Sequence, residues 1–127
     1  MKAVSGLKGG GDGRLHVEHK LWLTKNGGIF GEGVFELLSR VAALGSISQA
    51  AREMDMSYRA AWGKIKLAEK RWGIPLVTTQ VGGEMGGGAR LTPAALELLA
   101  RYRRLREAVD TFLRDAFQEL FRDWPNT

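Results

Sequence analysis

The chain contains no cysteine, which excludes disulfides and thiolate metal sites. Histidine is almost absent: His16 and His19 are the only two in 127 residues. The string His16-Val17-Glu18-His19 resembles a metal-ligand spacing. On an extended strand, however, the two rings point to opposite faces and cannot share an ion. No Ser-His-Asp set and no paired carboxylates in one cleft are found, so no catalytic residue, metal or cofactor is expected. A run of 18 apolar residues is also missing, and with it a membrane span. The first residues, among them Met1, Lys2, Gly6 and Lys8, lack the apolar core of a secretory signal. A cytoplasmic protein is expected.

What is present is enough for one domain. Apolar residues make up 44% of the chain, which supports a core and argues against general disorder. The net charge of +5 is unevenly spread. Residues 57–72 carry Arg59, Lys64, Lys66, Lys70 and Arg71 against Glu69 alone, whereas residues 92–127 carry six charges of each sign. The basic excess therefore sits where a phosphate-facing surface would need it.

The pattern of elements is legible from caps and periodicity. Residues 1–13 are glycine-rich and read as a flexible arm. Leu15, Val17, His19, Leu21 and Leu23 alternate with polar positions as in a half-buried strand. Asn26-Gly27 is a hairpin turn, with Gly28-Ile29-Phe30 as a short return strand. Val34, Leu37, Leu38 and Val41 place a first helix over about Gly33 to Leu44, closed by Gly45. Ser46, with Gln49 three residues on, caps a second helix; Ser57 caps a third that ends at Gly73 and Pro75. Leu76 to Val81 reads as a strand, Gly82 to Gly88 as a loop, and Ala89-Arg90-Leu91 as the returning strand. Thr92-Pro93 opens a last helix that should reach about Trp124, about 45 Å in all.

The fold expected is mainly α with a small β content. It is a winged helix-turn-helix over residues 14–91, with an N-terminal β-hairpin and a long C-terminal dimerisation helix over 92–127. A wing tip fits Gly82 to Gly88 better than a phosphate loop does, because no Gly-Lys-Ser/Thr ending and no following helix is present. On the third helix, Tyr58, Arg59, Trp62, Gly63 and Lys66 lie opposite Ala61, Ile65 and Ala68. These positions suit groove contact with double-stranded DNA. Trp62 has two readings, groove contact or packing on the second helix, since an exposed indole is costly. Ser57 caps this helix at its DNA end. Ser46, Ser48 and Gln49 frame a helix start suited to one phosphate, though capping alone accounts for Ser46 and Gln49. Arg90 at the wing base is placed for backbone or minor-groove contact. Leu98, Tyr102, Leu105, Val109, Phe112 and Ala116 follow 4-3 spacing, with Leu113 and Phe117 widening the face. A homodimer seam is expected there. The rival reading is a winged-helix module that binds a protein partner.

Three strings carry a family likeness. They are Gly45-Ser46-Ile47-Ser48-Gln49-Ala50-Ala51, Met56-Ser57-Tyr58-Arg59-Ala60-Ala61-Trp62, and Gly82-Gly83 through Gly86 to Pro93. Together they resemble the N-terminal domain of ModE-type molybdate-responsive regulators. His19 to Leu23 and Phe30 to Gly33 fit the stand-alone members. The frame of Ser57, Ile65 and Glu69 is similar, more broadly, to the LysR-type recognition helix. The resemblance covers about residues 15–107. It implies a dimeric winged-helix DNA-binding domain and transcriptional control linked to molybdenum. Full-length members continue into small β-barrels that bind molybdate. No strands follow Trp124 here, so no molybdate site is expected in this chain.

Overall fold

The computed structural model describes residues 13–80 and 88–125. Eight elements follow in order: β1 (Leu23–Lys25), β2 (Gly28–Phe30), α1 (Glu32–Leu44), α2 (Ile47–Glu53), α3 (Tyr58–Trp72), β3 (Val77–Thr79), β4 (Ala89–Leu91) and α4 (Pro93–Leu120). The chain divides into two compact units, Lys20–Glu107 and the flanking segments Met1–His19 with Ala108–Thr127.

In the larger unit, local chemistry sets each boundary. Gly45 ends α1 at φ 69°, a left-handed conformation that glycine adopts without a Cβ penalty, and its N–H bonds Val41 O. One residue later Ser46 Oγ accepts the Gln49 N–H at 3.1 Å and starts α2. Asp55 takes φ 55° in the turn between α2 and α3. Ser57 Oγ accepts the Ala60 N–H at 3.0 Å and starts α3. Thr92 caps α4 through Ala95 N–H while its hydroxyl donates to Pro75 O at 2.7 Å. That second bond ties the start of α4 to the strand root before β3.

The core lies among α1, α2, α3 and the first half of α4. Leu37, Leu38, Val41, Ala50, Ala61, Ile65, Leu76 and Tyr102 are among its most buried members. The hairpin β1–β2 pairs Leu23 with Phe30 and Lys25 with Gly28. It docks on the last turn of α3, where Trp72 Nε1 donates to Gly28 O at 3.1 Å and Asn26 Nδ2 to Arg71 O at 3.1 Å. The wing strands pair Val77 with Leu91, Thr78 with Arg90 and Thr79 with Ala89. Ala89 N–H reaches Gly45 O at 3.0 Å, which anchors the wing on the α1–α2 corner.

Three expectations change. The long strand over 15–23 shrinks to β1, because β2 ends where α1 begins and, among the described residues, those before Leu23 find no strand to pair with. The strand expected over 76–81 is β3 alone among the described residues. Helix α4 stops at Leu120, with turn structure beyond it. The glycine-rich arm, Gly13 apart, and the wing tip, Gly88 apart, lie outside the described residues.

In the smaller unit, His19 Nε2 lies 3.3 Å from Asp110 and His16 Nε2 2.7 Å from Glu18. Phe117 stacks on Phe121, which meets Trp124 edge-on.

Candidate nucleic-acid interface

Helix α3 presents three bands along its length. Ala61, Ile65 and Ala68 face the core and are buried. On the opposite side, at 100° per residue, fall Arg59, Gly63, Lys66 and Lys70, spaced i, i+4, i+7, i+11, and all are exposed. A Cβ at Gly63 would meet nothing within 4 Å, so the helix backbone is open to another body there. Arg59 and Lys70 form no ion pair among the described residues. Their charges are available to a ligand, and phosphate is the chemistry they suit.

The third band is an edge between these two. Tyr58, 53% exposed, stacks on Trp62 with centroids 6.3 Å apart and planes 11° apart. Trp62 is half-buried and packs against the core. Lys66 Nζ lies 4.5 Å from the Trp62 ring centroid and 3.0 Å from Glu69 Oε1. Glu69 Oε2 accepts two backbone N–H groups, from Leu76 at 2.7 Å and Val77 at 3.1 Å. Partial burial pushes the Glu69 carboxyl up, but the two backbone bonds and Lys66 outweigh it and hold it below its ordinary value.

Of the residues singled out from sequence, Tyr58, Trp62 and Lys66 come together on one edge of α3. Arg59 stands on the outer side beside them. Ser46 and Ser57 spend their hydroxyls on caps, while the side chains of Ser48 and Gln49 are exposed on the first turn of α2. Arg90 points outward from β4 opposite Thr78. The sequence reading counted Lys70 in the basic excess but did not place it with Arg59 and Lys66 on the outer side, although its spacing from them is readable. It also passed over Glu69 as a structural residue, since its backbone partners lie seven and eight residues further on.

The expected dimer seam is partly consumed within one chain. Tyr102 is fully buried, with Phe30 edge-on at 5.1 Å and its hydroxyl donating to Leu21 O at 2.8 Å. An aromatic with an inward hydrogen bond is a core residue, so Tyr102 leaves the seam. Leu98 also packs against the core. Leu105 remains exposed in the larger unit. In the smaller unit Val109, Leu113 and Phe117 are half-buried, while Phe112 is 69% and Leu120 77% exposed.

Among the described residues no group of three or more His, Asp or Glu side chains is arranged to hold a metal. No described helix is long and apolar enough to cross a membrane.

A tri-helical core, a helix with a free basic side and a two-stranded wing define a winged helix-turn-helix DNA-binding domain. Residues 34–96 match the bacterial regulatory helix-turn-helix protein, lysR family. The molybdenum-pterin-binding protein MopB of Rhodobacter capsulatus is 39% identical over 105 residues, covering 83% of this chain and 38% of that protein. The molybdenum transport protein ModE of Herbaspirillum seropedicae is 44% identical over 79 residues, covering 62% of this chain and 29% of that protein. Among solved structures, ArgP from Mycobacterium tuberculosis aligns with a TM-score of 0.47 and 26% identity over 70% of this chain and 30% of that chain. The chain is a ModE-like DNA-binding domain with a LysR-type helix-turn-helix. It spans well under half the length of the two named relatives.

Proposed function

We propose that the chain is a sequence-specific DNA-binding transcriptional regulator that acts as a homodimer and is linked to molybdenum. The carrying observation is the outer side of α3, where Arg59, Gly63, Lys66 and Lys70 align opposite the buried Ala61, Ile65 and Ala68. A helix with an open backbone position among exposed cations, of which Arg59 and Lys70 have no acidic partner among the described residues, fits a major groove flanked by phosphates. The wing adds Arg90 on its outward face. The molybdenum link rests on the names of the relatives alone.

Homodimerisation is supported by Phe112 and Leu120, two large apolar side chains left uncovered on α4 in the smaller unit. Two copies of α3 would then read half-sites about one helical turn or a multiple of it apart, and the preferred site would be near-palindromic.

Selection of bound sequences from random duplex DNA tests the DNA-binding and homodimer readings together. A symmetric site is expected. Arg59→Ala should cost about 1–3 kcal/mol on that site and relax its sequence preference. Sedimentation of a Phe112→Glu, Leu120→Glu chain should show monomers that no longer prefer paired half-sites. Weak, salt-insensitive binding without a preferred sequence would instead assign the surface to a protein partner.

A further inference from the structure

We propose that Trp62 is a positioning residue for DNA contact: it acts by holding Lys66 and does not touch a base itself. The inference rests on the DNA-binding reading above.

Trp62 sits about a quarter turn from the outer side of α3 marked by Arg59 and Gly63. Its indole is half-buried against the core. What it offers outward is a ring already engaged by its neighbours on the helix. Tyr58, one turn before, stacks parallel to it, and Lys66, one turn after, places its ammonium 4.5 Å from the ring centroid. The same ammonium lies 3.0 Å from Glu69 Oε1. The other Glu69 oxygen is fixed by the N–H groups of Leu76 and Val77.

A contact chain therefore runs from the first turn of α3 to the root of the wing: Tyr58, Trp62, Lys66, Glu69, then backbone. Lysine ordinarily loses much rotamer freedom when it is immobilised on a phosphate. Here the stem is held before DNA arrives. The ammonium has three donors, and Glu69 takes one, so donors remain for a phosphate oxygen. The indole supplies an attraction that holds the charge without neutralising it, which a second carboxylate could not do.

The test is a double-mutant cycle on the duplex found by selection. Trp62→Leu keeps an apolar side chain toward the core and removes the ring face. It should weaken binding about tenfold. It should also lower the salt slope by about 0.9 per protomer, about 1.8 for the dimer on its paired half-sites, the signature of one lost phosphate contact in each copy. Trp62→Phe restores a ring face and should recover most of the affinity. In a Lys66→Ala background, Trp62→Leu should cost nothing further. A general loss of stability would appear in both backgrounds, so it cannot imitate that result. Equal losses in both backgrounds with an unchanged salt slope would overturn the proposal while leaving DNA binding intact. A wild-type chain with no preferred duplex would overturn the DNA-binding reading, and the role of Trp62 with it.

Discussion

Removing the Glu69 carboxylate should unlock the wing root from α3. Its Oε2 accepts the N–H groups of Leu76 and Val77, both residues of the core. Hydrogen bonds to a charged acceptor contribute about 1.5–3 kcal/mol each, less where water can replace the lost partner. The ion pair with Lys66 adds no more than about 1 kcal/mol, because the lysine is largely exposed. Glu69→Ala should therefore destabilise the fold by about 2–4 kcal/mol, read as a fall of about 1–2 M in the urea midpoint. Glu69→Gln keeps an acceptor oxygen and should lose about half as much. The carboxyl is held below its ordinary value of 4.5 in the folded chain. As pH falls, the unfolded chain takes up the proton first, so protonation favours unfolding. The stability that Glu69 contributes is thus present above about pH 4.5 and is lost as pH falls through the lower folded value. Wild type and Glu69→Gln should converge in acid. A Glu69→Ala chain with the wild-type urea midpoint, or a wild-type advantage that does not shrink in acid, would refute this account of the wing root.

Gly28→Ala should destabilise the fold by about 1–3 kcal/mol in thermal or urea unfolding. A Cβ there would stand 2.6 Å from Arg71 Cβ and 2.8 Å from Trp72 Cδ1, so the hairpin would have to lift off α3. Tyr102→Phe keeps the ring contacts with Phe30 and Phe35 but leaves Leu21 O without its donor. It should cost about 1 kcal/mol by urea denaturation.

The helix-turn-helix was readable because its signals are local. Ser46, Ser57 and Thr92 act on N–H groups three residues away, and Gly45 and Gly73 end helices by their own φ. Spacing within α3 separated Ala61, Ile65 and Ala68 from Arg59 and Lys66 for the same reason. What failed was non-local. Leu15 to Leu23 has the alternation of a strand, but alternation cannot say whether a partner strand exists. The 4-3 spacing along α4 marks an apolar face without saying what covers it. Tyr102 turned out to be covered by Phe30 and Phe35 of its own chain. The basic count on α3 could not distinguish Lys66, shared with Trp62 and Glu69, from Arg59 and Lys70, which have no acidic partner among the described residues.

The composition of α3 explains how one helix serves two masters. Its core side uses Ala61 and Ala68 around Ile65, which lets neighbouring helices approach closely but buries little apolar area. Its outer side uses Gly63, which helix propensity disfavours by about 1 kcal/mol relative to alanine. A helix this thin on both sides draws little stability from its middle. It is held instead at its ends and edges: by Ser57 and Gly73 as caps, by Trp72 bonded to Gly28, and by Glu69 bonded to the wing root. Stability and recognition therefore fall on different residues at the two extremes, and meet only where Trp62 and Glu69 hold Lys66. Changes at Glu69, Trp72 or Gly28 alter whether the helix is in place. Changes at Arg59 or Lys70 alter what it meets, and should leave the unfolding midpoint where it was.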